Sequence, residues 1–128
     1  MNFDVQTLAE KIKESSPEVV FAFLMGSARD GNVQQDSDVD IALYISGKAS
    51  LKLISKISDL VDSLATGAET DIGFLNEADP VYRFEALKGR LLFCRDEEKY
   101  LDFFSLTCRE YESQIADYEI QKKYRSAG

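Results

Sequence analysis

The sequence predicts a mixed α/β (α+β) domain: a small mixed central sheet flanked by helices, with a long C-terminal helix. Three observations carry that prediction. Apolar, β-branched or aromatic runs of strand length recur at residues 19–25, 38–45, 70–75 and 91–94. Segments with apolar residues at helical spacing separate most of them. Strands and helices alternate along the chain, so helices pack on a sheet rather than sheet on sheet. The 128 residues suit one domain spanning residues 1–128, because a chain of that size buries roughly two-thirds of its unfolded surface.

Phe3 to Lys13 reads as a short amphipathic helix with Val5, Leu8, Ala9 and Ile12 on one face. Ser15-Ser16-Pro17 ends it, since the residue before proline avoids the helical region. Val19 to Met25 is continuously apolar, the pattern of a strand covered on both faces. Gly26 to Ser37 is polar and contains Gly31-Asn32, a loop with room for one helical turn; Asp36 and Ser37 shape its entry into the next strand. From Asp38 to Ile45 the chain alternates: Val39, Ile41, Leu43 and Ile45 face one way, Asp38, Asp40, Ala42 and Tyr44 the other.

Ser50 to Ala65 is a helix with a stripe of Leu51, Ile54, Ile57, Leu60, Val61 and Leu64. Thr70 to Leu75 is a third strand, with Ile72 and Phe74 toward the core and Asp71 and Gly73 opposite. Asp79-Pro80 starts a helix, aspartate as N-cap and proline at the first position. That helix carries Val81, Phe84 and Leu87 and stops near Gly89. Leu91 to Cys94 is a last short strand, and Asp96 caps a helix running to about Tyr124.

Composition excludes whole classes of chemistry. There is no histidine, which removes Ser-His-Asp hydrolases, Cys-His proteases, H-E-x-x-H metalloproteases and Cys2His2 zinc sites. Acid–base or metal chemistry must run through carboxylates. With 15 Lys and Arg against 23 Asp and Glu the net charge is −8, which speaks against gripping many nucleic-acid phosphates. Cys94 and Cys108 alone make no disulfide framework, and the start at Met1-Asn2-Phe3-Asp4 has no secretory character. The longest apolar run is too short to cross a bilayer. A soluble, cytoplasmic protein is the expectation.

Asp38 and Asp40 sit two apart on a strand, so both carboxylates leave the same face, roughly 6.5–7 Å apart along the backbone. Two like charges there repel, and strands are poor in aspartate. Divalent metal is the economical compensation, since Mg2+ takes oxygen ligands and binds through one or two carboxylates plus substrate phosphates. A pair of Mg2+ ions supports in-line phosphoryl or nucleotidyl displacement. If the strand of Asp71 neighbours that of Asp38 and Asp40, three carboxylates converge, and Asp71 is placed to ligate metal and help take the proton of an incoming hydroxyl. Upstream, Gly26 permits close backbone approach to a phosphate, to which the Ser27 hydroxyl and nearby N–H groups can donate.

Gly26-Ser27, the ten residues Ala28 to Ser37, Asp38-Val39-Asp40 and the later Asp71 together resemble the signature of the nucleotidyltransferase superfamily that includes DNA polymerase β. The short chain, with Arg83-Phe84-Glu85-Ala86-Leu87-Lys88, Leu91-Leu92-Phe93 and Arg95-Asp96-Glu97-Glu98, resembles its minimal members, the MntA-type antitoxins paired with HEPN ribonuclease toxins. That resemblance implies the nucleotidyltransferase fold and Mg2+-dependent transfer of AMP from ATP to a tyrosine of a HEPN-type toxin, which neutralises it. It implies Asp38, Asp40 and Asp71 as catalytic and metal-binding residues, and Gly26, Ser27 and Arg29 as nucleotide ligands. One departure stands out. Asp30 occupies the place before Gly31 where family members carry a basic residue, and Arg29 lies one position early.

Two other functions fit the same residues. One is a neutralising antitoxin that occludes its partner without catalysis. The other is a small-molecule nucleotidyltransferase, which needs an acceptor pocket that this chain would have to gain as a homo- or hetero-oligomer. Elsewhere the expectations are structural. Arg83 pairs with a carboxylate, both cysteines fill core gaps, and Glu110 to Lys123 is a solvated face. Tyr100, Phe104, Tyr111, Ile115 and Tyr118 form a helix stripe that packs on the sheet, or else meets a partner.

Overall fold

The computed structural model describes residues 2–32 and 38–127. The elements run α1 (Val5–Ser15), β1 (Val19–Met25), a 3-10 turn (Gly26–Asp30), β2 (Asp38–Ile45), α2 (Leu51–Leu64), β3 (Glu69–Phe74), α3 (Pro80–Leu87), β4 (Arg90–Cys94) and α4 (Glu97–Ala127). The strands form one sheet in the order β3-β2-β1-β4. β1 lies antiparallel to both β2 and β4, while β2 and β3 are parallel. The parallel pair follows from α2, which carries the chain back before β3 begins.

Capping sets the helix boundaries. Asp4 accepts from the backbone of Gln6 and Thr7, so α1 starts two residues later than the periodicity alone suggests and runs on to Ser15. Ser50 accepts from Leu53 N–H, Asp79 from Val81 and Tyr82, and Asp96 from Lys99. Arg95 closes the far end of α1. Its guanidinium donates to the carbonyls of Val19, Lys13 and Ser16 and lies over the Phe93 ring.

Alternation divides the apolar residues between two faces. Leu24, Val39, Ile41 and Leu43 pack beneath α1 and α2 against Leu8, Ile12, Leu53, Ile57 and Val61. On the other face Phe21, Phe23, Ala42 and Leu75 meet Ala86 and Phe103. A register shift between Val19 and Phe21 turns Val20 and Phe21 to the same side. β1 is covered on both faces, as its unbroken apolar run predicts.

Two helices turn differently from the periodicity. The buried line of α2 is Leu53, Ile57 and Val61, four residues apart each time, and Leu51 in the first turn is 82% exposed. In α3 the buried residue is Ala86, with Tyr82 half-buried one turn earlier, and Val81 points outward. Arg83 sets that phase. It donates to the carbonyls of Leu75 and Asn76 and lies over Phe103, pairing with backbone rather than with the expected carboxylate.

The α4 stripe also divides. Tyr100 packs edge-on against Phe21, and Tyr111 stacks on Phe84 at 3.9 Å, while Phe104, Ile115 and Tyr118 are exposed. Both cysteines are free and half-buried. No helix among the described residues is long and apolar enough to cross a membrane.

Candidate active site

The face beneath α3 and α4 is laid out in rows across three strands. Met25, Asp40 and Asp71 are in register, then Phe23, Ala42 and Gly73, then Phe21 opposite Tyr44. Asp38 stands beside Glu69 at the open end. Along β2 acidic, small and aromatic positions (Asp40, Ala42, Tyr44) thus succeed one another from the open end inward, with Asp71 and Gly73 of β3 beside the first two. The aromatic row is roofed by α4 through Phe103 and Tyr100. The acidic row is left open: Asp38 and Asp71 are exposed and Asp40 is half-buried.

The condition set by the sequence is therefore met: the Asp71 strand is the parallel neighbour of β2, with Asp40 directly beside Asp71. Neighbouring strands lie about 4.8 Å apart, so the two carboxylates share one patch. Burial first, then the charges of Asp71 and Asp38, push the Asp40 carboxyl above the ordinary aspartate range. Among the described residues none of the three receives a hydrogen bond or forms an ion pair within the chain.

Gly26 follows β1 with φ +68°, a left-handed conformation that glycine takes without strain. A Cβ there would stand 3.3 Å from Asp40 Oδ2, so the turn is packed onto the carboxylate. Gly31 ends the 3-10 turn at φ +83°, where a Cβ would run into the Phe3 carbonyl; Phe3 N–H donates to Gly31 O at 2.8 Å. The N-terminal segment thus pins the far side of this turn. The Ser27 side chain, Asp36 and Ser37 lie outside the described residues.

Among the described residues Arg29 forms no ion pair with the acidic row. Its Nη1 reaches the Lys88 carbonyl at 3.4 Å, at the end of α3. Arg90 in turn donates to Arg29 O at 3.4 Å. The sequence reading of the phosphate side omits Arg90. Strand pairing of Leu24 with Arg90 is what brings it beside the Gly26 turn, and no local pattern announces that pairing.

The donor set fits a divalent cation by its chemistry. It is all carboxylate oxygen, two of the three carboxylates are side by side, and their mutual repulsion is what a cation relieves. As the side chains stand, no three acidic groups among the described residues converge as a ready-made cage. That suits an ion completed by substrate phosphates better than a site closed by protein alone.

A polymerase beta nucleotidyltransferase family pattern matches residues 6–98. The chain belongs to that family. The nucleotidyltransferase fold extends over nearly the whole chain. A variant of the MntA toxin–antitoxin pair superposes with TM-score 0.74 at 17% identity, covering 96% of this chain and 98% of that one. A toxin–antitoxin structure with AMP-PNP gives 0.71 at 20%, covering 94% and 98%. The tri-AMPylated Shewanella oneidensis HEPN toxin in complex with an MNT antitoxin gives 0.68 at 18%, covering 96% and 99%. No curated protein matches the chain.

Tyr82 is a second neighbour of the site that sequence reasoning passed over. Its ring lies across Gly73, where an added Cβ would overlap the hydroxyl and stand 2.7 Å from Cζ. The sequence does hold a signal for it. A glycine inside a strand, two residues from an acidic candidate and on the same face, marks the close approach of something else.

Proposed function

We propose that this nucleotidyltransferase transfers AMP from ATP to a tyrosine of a HEPN-type ribonuclease toxin and so neutralises it. The observation that carries the reading is the parallel register of Asp40 with Asp71 beside the Gly26 turn. The fold it shares with toxin–antitoxin structures, one holding AMP-PNP and one a tri-AMPylated HEPN toxin, supports the choice of nucleotide and acceptor.

Each group has a task in the transfer. Backbone N–H groups of the turn after Gly26 receive phosphate oxygens of ATP. The acceptor hydroxyl enters over the Asp71 side of the row, and Asp71 takes its proton as the oxygen bonds to the α-phosphorus. The bond from that phosphorus to the bridging oxygen breaks, and pyrophosphate leaves. Mg2+ held by Asp38, Asp40 and Asp71 would supply charge neutralisation for the attacking and leaving oxygens. The acceptor comes from a partner chain because the acidic row opens outward, beyond the roof made by α3 and α4.

Incubation of the protein with ATP, Mg2+ and the partner toxin should add one or more AMP masses to the toxin. Asp38→Ala with Asp40→Ala should abolish the addition; modification that survives the double variant would remove the carboxylates from the mechanism. The same variant separates catalysis from occlusion. The distal part of α4 exposes Tyr118 at 58%, Ile120 at 54% and Tyr124 at 76%, which favours a contact surface for the partner as a second contribution. If occlusion alone neutralises, the double variant still protects cells and Tyr118→Asp does not. Tyr111 is a poor probe of that surface, because its stacking on Phe84 makes it part of the fold.

A further inference from the structure

We propose that Tyr82 is a positioning residue for Asp71: its hydroxyl holds the carboxylate in the orientation that faces Asp40 and the bound cation. The inference rests on the proposed metal-dependent transfer and adds to it a residue of this chain that no signature contains.

The geometry comes from the row of small residues. Ala42 and Gly73 lie side by side between the acidic and the aromatic rows, and on β3 the cleared space is filled by the Tyr82 ring, which α3 brings down onto Gly73. Gly73 is two residues from Asp71 on the same strand face, about 6.5–7 Å along the backbone. A hydroxyl over Gly73 is the side-chain donor at the next position along that face, from which a bridging water would reach the Asp71 carboxylate. The placement is held firmly. Asp79 caps the helix through the N–H groups of Val81 and Tyr82 itself, and Arg83 ties the next residue to the carbonyls at the end of β3.

A phenylalanine or leucine would fill the same space. A phenol pointed toward a row of carboxylates does more, because it offers one O–H donor to acceptors that have none within the described chain. Groups that orient a metal-ligating carboxylate in this way are worth roughly 10–100-fold in metal affinity or activity.

The test is Mn2+ binding to the full-length protein, read by electron paramagnetic resonance with a non-hydrolysable ATP analogue present. Tyr82→Phe should weaken Mn2+ binding about tenfold while the melting temperature and far-UV spectrum are kept. Gly73→Ala, whose methyl displaces the hydroxyl and leaves Tyr82 chemically intact, should weaken it at least as much. On an Asp71→Asn background Tyr82→Phe should have no further effect, because its action runs through Asp71. Wild-type Mn2+ affinity in Tyr82→Phe, or effects that simply add in the double variant, would overturn the role and leave the phenol as packing. Absence of Mn2+ binding by the wild type is a different result: it overturns the metal-dependent reading itself.

Discussion

The two faces of the sheet are made by the same strands and used in opposite ways. Beneath α1 and α2, Leu24, Val39, Ile41 and Leu43 are completely buried against Leu8, Ile12 and Ile57. That face is closed along β1 and β2 and partly covered at Ile72, Phe74 and Leu92 on the outer strands. The other is covered where Phe21, Phe23 and Tyr44 meet α4 and where α3 brings Ala86 and Tyr82 onto the sheet, and it ends in an open row of aspartates. Because strand side chains alternate, Asp40 and Ile41 are chain neighbours with unrelated surroundings. β2 and β3 thus carry apolar packing on one side and the candidate carboxylates on the other, and charge repulsion in the acidic row is tolerated because the apolar face holds the strands in place.

Substitutions on either side should separate the two roles, and the largest effect belongs to the acidic row. Asp40→Ala should reduce AMP transfer to background in a mass-spectrometric assay while the thermal midpoint stays at or above that of the wild type. Loss of folding in that variant would break the division between the faces. Ile41→Ala should do the reverse. A fully buried isoleucine replaced by alanine is worth about 2–5 kcal/mol in urea unfolding, with transfer per folded molecule retained.

Gly26→Ala tests the place where β1 passes from one role to the other. Its positive φ makes any side chain unfavourable by about 1–2 kcal/mol, and the new methyl presses on Asp40 Oδ2. Nucleotide-analogue affinity should fall together with stability. Wild-type affinity in this variant would detach the turn from the site.

The smallest effect is electrostatic. A carboxyl whose folded pKa is raised is unfavourable to the fold while ionised, and that penalty fades as pH falls through the folded value toward the ordinary 3.8. Asp40→Asn in metal-free buffer should therefore melt above the wild type at neutral pH, with the difference closing as the pH approaches about 4. A difference that grows in acid would mean Asp40 is stabilised, not strained, by its neighbours.

Much of this arrangement is legible along the chain. The unbroken run of β1 and the alternation of β2 reveal which strand is covered twice and which residues share a face, because both depend only on period-two geometry. Asp79 and Asp96 mark helix starts for reasons confined to one turn of backbone. Helix phase is less legible. Val81 and Leu51 are apolar and at plausible spacings yet exposed, because Arg83 and the sheet surface, not periodicity, decide how α3 and α2 turn. α4 is legible as a helix, but its aromatic stripe divides: Tyr100 and Tyr111 pack on Phe21 and Phe84 while Phe104 and Tyr118 are exposed, a division written in no local pattern.

The site divides in the same way. The sequence by itself determines the identity of the acidic residues, the common face of Asp38 and Asp40, and the glycine that lets the turn approach, since each follows from spacing and side-chain chemistry within a few residues. Only the tertiary structure decides that Asp71 stands beside Asp40, that Arg90 comes to the Gly26 turn, and that Tyr82 rests on Gly73. Those are pairings across the sheet and between helix and strand. They depend on which strands neighbour each other and how a helix is rotated, and both are set by burial summed over the whole chain.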